Sequence, residues 1–176
     1  MNSADTSESI TQRHSGDLVQ NGRATPSTLR VNYGFSVHAY GTSAAISFET
    51  DCTKKGVHTI SMDAALADPA TSKKYTWDSD KIRIQLTRAE LPVVAAVLFG
   101  IRRKCEYLHH GEDKNKGFSM ENQGGRIFVK VFAAQRKVRA VPIEASDVFY
   151  ISSLFISQLI KSNPWLSPVI VKLVVA

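Results

Sequence analysis

Cysteine is scarce: Cys52 and Cys105 are the two in 176 residues. They are too few and too far apart for a disulfide framework or a paired-cysteine zinc site, and we read them as reduced thiols of a cytosolic protein. No apolar run reaches the roughly 18 residues that span a bilayer. Also missing are a G-x-S-x-G elbow, a Walker loop and a dinucleotide glycine fingerprint, so the expectation is a protein that is not an enzyme and needs no cofactor. His109-His110 with Glu112 and Asp113 comes nearest to a metal set. Adjacent residues of a strand point to opposite faces, so a hydrogen-bonding role is expected there instead of shared ligation. Residues 1–31 contain no aromatic residue, few aliphatics and balanced charges (Asp5, Glu8 and Asp17 against Arg13, Arg23 and Arg30). Such a segment cannot bury enough apolar surface to offset its ordering entropy, and it reads as a disordered polar tail. It has neither the apolar stretch of a secretion signal nor the acid-poor composition of a transit peptide.

What is present is a 43% apolar content, a net charge of +6 and a pI of about 9.4. That supports one substantial core, in a chain too short for two ordinary domains, with a basic excess suited to nucleic acid or another acidic partner. Period-2 patterning starts near Asn32, with Phe35, Val37 and Ala39 on one face and Ser36, His38 and Tyr40 on the other. Further strands are expected over 44–50 and 57–62, after breaks at Gly41 to Ser43 and Asp51 to Gly56. Residues 68–74 read as a loop. In 81–86, Ile82, Ile84 and Leu86 face a core while Lys81, Arg83 and Gln85 face away. Thr87 to Glu90 has the form of a capping box. It opens a helix through Leu91, Val94, Ala95, Leu98 and Ile101, whose negative end suits Arg102, Arg103 and Lys104. Strands are expected at 105–109, 117–121, 126–133 and 137–142, then a helix over 145–161. The plan is α+β, two four-stranded antiparallel meanders each followed by a helix.

Binding candidates come from the outward faces. Ile127, Val129 and Val131 make a core face of one strand, which turns Phe128, Lys130 and Phe132 outward. Aromatic rings offer a base stacking of about 1–3 kcal/mol each, and a lysine between them can meet phosphate. The alternative is that a second protomer covers the rings. Arg136, Lys137 and Arg139 cluster beyond, Lys81 and Arg83 form a second cationic stripe, and Tyr40 and Trp77 add aromatic surface.

Several motifs resemble those of the Whirly family, single-stranded DNA-binding proteins of plant organelles, with wider relatives among trypanosomatid guide-RNA-binding proteins and positive-cofactor-four coactivators. Tyr75-Thr76-Trp77 resembles Y-D-W, and Leu86-Thr87 with Glu90-Leu91 resembles L-S-P-T-E. Cys105 to His110 is similar to C-E-F-F-H-D. Val141-Pro142-Ile143 with Asp147-Val148-Phe149 resembles V-P-V-T-x-x-E-F, and Pro164-Trp165 resembles a closing G-W. The likeness spans about residues 35–166. One departure is that K-G-K-A-A-L is replaced by Gly41-Thr42-Ser43-Ala44-Ala45-Ile46, with both lysines gone; Lys54 and Lys55 can compensate if their loop lies near. The tail is unlike a plant transit peptide, which points to a divergent bacterial or mobile-element relative.

The resemblance implies a Whirly-like domain over 32–166 and a homotetramer bundled through its helices. Strands of DNA are bound along and between sheets. The apolar stretch in 167–176 is expected to pair as an edge strand within or between subunits. The functional expectation is a non-catalytic, cytoplasmic single-stranded DNA-binding protein with weak sequence preference, acting in replication, repair, recombination or transfer. An RNA-binding or annealing protein on the same scaffold, and an oligomeric protein-interaction scaffold, are the alternatives.

Overall fold

The computed structural model describes residues 34–68, 70 and 74–166, so the expected tail over 1–31 and the expected C-terminal strand over 167–176 lie outside the described residues. Within them the order is β1 (Ser36–Tyr40), β2 (Ala44–Cys52), β3 (His58–Leu66), β4 (Ile82–Gln85), α1 (Glu90–Leu98), β5 (Lys104–His110), β6 (Lys116–Asn122), β7 (Arg126–Ala133), β8 (Arg139–Glu144) and α2 (Ala145–Ser162). The strands make two four-stranded sheets, β1-β2-β3-β4 and β5-β6-β7-β8, and every neighbouring pair is antiparallel. This is the expected α+β plan.

Alternation decides which side of each strand is dry. Ile46, Phe48, Ile60, Met62, Ile82 and Ile84 of the first sheet join Phe118, Met120, Val129, Val131, Val141 and Ile143 of the second in one core, completed by both helices. The helices cross over: α1 packs on β5 and β6, whereas α2 packs on β3 and β1, bringing Phe155 to 6.4 Å from Phe48, ring to ring. Each helix therefore serves mainly the other half's sheet. The Ser162 hydroxyl fastens the end of α2 to the His58 carbonyl at 2.5 Å.

The capping box forms as expected. The Thr87 amide donates to Glu90 Oε2 at 2.8 Å and the Glu90 amide to Thr87 Oγ1 at 3.3 Å, although regular α-helix begins only at Glu90. The helix ends earlier than its apolar pattern predicts. Gly100 takes φ 77°, the Ile101 amide donates to the Ala96 carbonyl at 3.0 Å, and the Gly100 amide donates to Val97 at 3.1 Å. That pair of bonds is a Schellman motif, which satisfies the last carbonyls without needing cationic side chains. Arg102, Arg103 and Lys104 accordingly leave the helix end: Arg102 bonds the Lys104 carbonyl, and Lys104 opens β5. Phe35 is a second departure. It precedes β1 and is 78% exposed, not on the core face.

Candidate nucleic-acid interface

β7 presents the expected face. Ile127, Val129 and Val131 are buried, Lys130 is exposed, and Phe128 and Phe132 are half-buried. Lys130 Nζ lies 5.6 Å from the centroid of the Phe128 ring. Phe132 lies flat on its neighbour because that neighbour is glycine: Gly117 is its cross-strand partner. A Cβ at Gly117 would come within 2.5 Å of Phe132 Cε2.

A second aromatic surface lies on the outer side of the first sheet. Tyr75 packs over Ala45 and Ala65, and its hydroxyl donates to the Gly41 carbonyl at 2.9 Å. Tyr40 is 59% exposed, with its ring 5.5 Å from Tyr75 and stacked on His38 at 5.9 Å. Trp77 meets His38 edge-on at 5.6 Å. Of this group the sequence reading chose Tyr40 and Trp77. It passed over His38, which shares the outward face of Tyr40 by strand period, and Tyr75, which sits in the Y-T-W motif already singled out. Gly41 links the two surfaces, since a Cβ there would lie 3.5 Å from Pro142 Cδ, and Pro142 is the cross-strand partner of Phe128.

The cationic candidates divide sharply. Beside the aromatic group, Lys81 Nζ is 2.6 Å from Asp63 Oδ2, and Arg83 reaches Asp63 and Asp51 at 3.2 Å and Glu49 at 3.4 Å. Three carboxylates thus face two cations, and the expected phosphate-binding stripe on this sheet is neutralised. Burial pushes the Asp51 carboxyl up, but hydrogen bonds from Ser61, Gln85, the Cys52 amide and Arg83 outweigh it and hold the pKa below the ordinary value. Asp51 therefore stays charged.

Arg139 corrects the sequence reading outright. It is fully buried and donates to Asp80 Oδ2 at 2.6 Å, to the Asp80 carbonyl at 2.9 Å, and to the Lys137 carbonyl. Period 2 puts it on the same side as Val141 and Ile143, where no phosphate can reach it. Arg136 joins the same node, donating to Asp80 Oδ1 and, at 3.2 Å, to the Lys81 carbonyl. The Arg136 hydrogen bond, with the charge of Arg139, draws the Asp80 carboxyl below its ordinary pKa. Lys137 remains exposed.

Lys54 and Lys55 sit in the exposed β2–β3 turn around Gly56. The nine-residue strand β2 separates them from Gly41 to Ser43, a span of roughly 30 Å at the rise of an antiparallel strand. They cannot stand in for lysines at the Gly41 turn. His110 Nε2 lies 3.1 Å from Glu90 Oε1, a contact that joins β5 to the start of α1. Among the described residues, no group of three or more His, Cys, Asp or Glu is arranged to hold a metal, and no helix is long and apolar enough to cross a membrane.

No protein-family model matches the chain, and no curated protein matches it. Among solved structures it is similar to a chain of the Trypanosoma bruciei MRP1/MRP2 crystal structures, with a TM-score of 0.55 and 11% identity, over 73% of this chain and 84% of that one. At that identity the likeness is one of backbone architecture, and the chain is by fold a two-sheet α+β protein of the same general plan.

Proposed function

We propose that the protein is a non-catalytic single-stranded DNA-binding protein of weak sequence preference, built on a Whirly-like scaffold. The observation that carries this reading is the Phe128-Lys130-Phe132 row: two rings and one cation on the solvent side of β7, with Lys130 set over a ring. Stacking tolerates any base, which accounts for a weak preference. The closeness of Gly41 to Pro142 adds support by placing this row near Tyr40, Tyr75 and Trp77. The motifs that resemble the Whirly family point the same way.

With Lys81, Arg83, Arg136 and Arg139 already engaged by carboxylates, phosphate contact falls to Lys130, Lys137 and Lys74. Two or three phosphates per protomer predict a salt slope of about −2 in log K against log salt for a single strand. Fluorescence anisotropy with a labelled oligonucleotide of about thirty nucleotides, as single-stranded DNA, RNA and duplex at several salt concentrations, tests the reading. Single-stranded DNA binds best if it is right, and a preference for RNA would move the assignment to an RNA-binding or annealing protein. Changing both Phe128 and Phe132 to Ala weakens strand binding at least tenfold, on the scale of about 1–3 kcal/mol per stacked base. The oligomer stays unchanged. Loss of the oligomer instead, with binding intact, would assign the rings to a protein interface.

The helices supply that oligomer. Between Glu90 and Leu98, α1 carries no charge beyond its first residue, and Pro92 is exposed while Val93 and Ala96 are half-buried. On α2, Phe149 is 67% exposed and shares a stripe with half-buried Ile156 and Ile160. Apolar residues on the outer sides of both helices fit burial against other copies, as in a homotetramer bundled through its helices.

A further inference from the structure

Beside the Gly41 turn, the aromatic group borders an open cleft of about 450 Å³ lined by Tyr40, Lys74, Tyr75 and Trp77. That volume is in the range that holds a small ligand, about 300–1,000 Å³. Its floor is fixed before any ligand arrives. Tyr75 is 5% exposed and tied by its hydroxyl to the Gly41 carbonyl. The turn carrying Trp77 is pinned where the Thr76 amide donates to the Leu66 carbonyl at 2.9 Å and the Asp80 amide donates to the Thr76 carbonyl at 3.1 Å. The rings pack at a tilt, Tyr75 at 34° to Tyr40 and at 55° to Trp77. Above that buried floor, Tyr40 is 59% exposed and Trp77 half-buried, which leaves ring surface for a planar guest.

The rim determines the charge of that guest. Lys74 is exposed, with its Nζ 5.4 Å from the Tyr75 ring centroid. An aromatic cage alone also suits a quaternary ammonium, but a lysine at the mouth repels one and attracts an anion. A flat π system with a phosphate attached meets both demands. We infer that this cleft binds one nucleotide, with its base laid against Tyr40, Tyr75 and Trp77 and its phosphate at Lys74. This deepens the single-strand reading and rests on it: one base of a bound strand is taken out of line into a pocket, while the β7 row stacks others in the open.

The nucleotide can be a residue within a strand or a free monophosphate, and the test separates them. The chain has two tryptophans, so Trp165→Phe, at a position 75% exposed, leaves Trp77 as the one reporter. In that background, adenosine monophosphate quenches Trp77 saturably, whereas inorganic phosphate neither quenches nor competes. Tyr40→Ala and Lys74→Ala each weaken the monophosphate about tenfold, on the scale of one stacked base or one phosphate contact. A thymidine decamer displaces the monophosphate if the pocket takes bases from strands, and fails to if it serves free nucleotides only. If the decamer binds but Trp77 stays unquenched and Tyr40→Ala leaves affinity unchanged, the pocket is refuted while the single-strand reading survives on the β7 row. If neither the decamer nor the monophosphate binds, both are overturned. Competition by inorganic phosphate as strong as by the monophosphate refutes the base contact.

Discussion

At the scale of single residues, the least expected behaviour is that of arginine. Arg139 carries a full positive charge and sits on the dry side of β8, paired with Asp80. Its place was legible in the period, because residues 139, 141 and 143 share a face. What the sequence hides is the partner, an aspartate 59 positions away, without which an arginine on that face makes no physical sense. Removing the partner is accordingly costly. Asp80→Ala strips Arg139 and Arg136 of their shared carboxylate and is expected to lower stability by about 1–3 kcal/mol, the cost of a buried donor left unsatisfied. Arg83→Ala, on the open face of the first sheet, is expected to cost less than about 1 kcal/mol. Urea unfolding of the two variants gives the comparison. Phe128, Lys130 and Phe132 were read correctly as outward because three aliphatics alternate with them and need no distant partner to explain their side.

At the scale of elements, strands with strong alternation were located within a residue or two, and boundaries drifted where side chains are small. β3 runs to Leu66, past the expected end at Met62, since Asp63, Ala64 and Ala65 carry little strand preference of their own and are held by pairing with β2. α1 shows the reverse. Its apolar periodicity continues to Ile101, but Gly100 at φ 77° ends it, a stop signal present in the sequence and outvoted by the pattern. Gly100→Ala tests the cause. Its Cβ would meet Asn122 Nδ2 at 3.5 Å, an ordinary contact, so the cost is that of forcing a left-handed conformation on an L-residue, about 1–2 kcal/mol. A shift in the urea midpoint with unchanged slope is the expected result.

At the scale of the whole molecule, stability rests in part on ion pairs, and the proposed assembly on the helices. Three carboxyls are held below their ordinary values: Asp51, Asp80 and Glu90. For Glu90, burial pushes the pKa up, and the His110 contact and the Thr87 cap together bring it lower than usual. A depressed folded-state pKa means that the unfolded chain takes up the proton first. These groups therefore stabilise the fold above the ordinary values, 3.8 for aspartate and 4.5 for glutamate, and that contribution is lost as pH falls below them. Urea midpoints measured from pH 6 down to pH 3 should decline mainly below about pH 4.5, and Asp80→Asn should flatten the decline. The proposed assembly is tested separately: Phe149→Glu, placing a charge on the open stripe of α2, should reduce the proposed oligomer to smaller species in sedimentation without unfolding the chain.

The crossed helices also impose an order on synthesis. Because α2 is the last described element and packs on β3 and β1, a nascent chain completes its first sheet, at Gln85, about sixty residues before the helix that shields it begins at Ala145. Throughout that interval Ile46, Phe48, Ile60 and Met62 have no lid. A ribosome-bound intermediate with an open greasy face, a ready client for a chaperone, is the cost of a fold in which each half finishes the other.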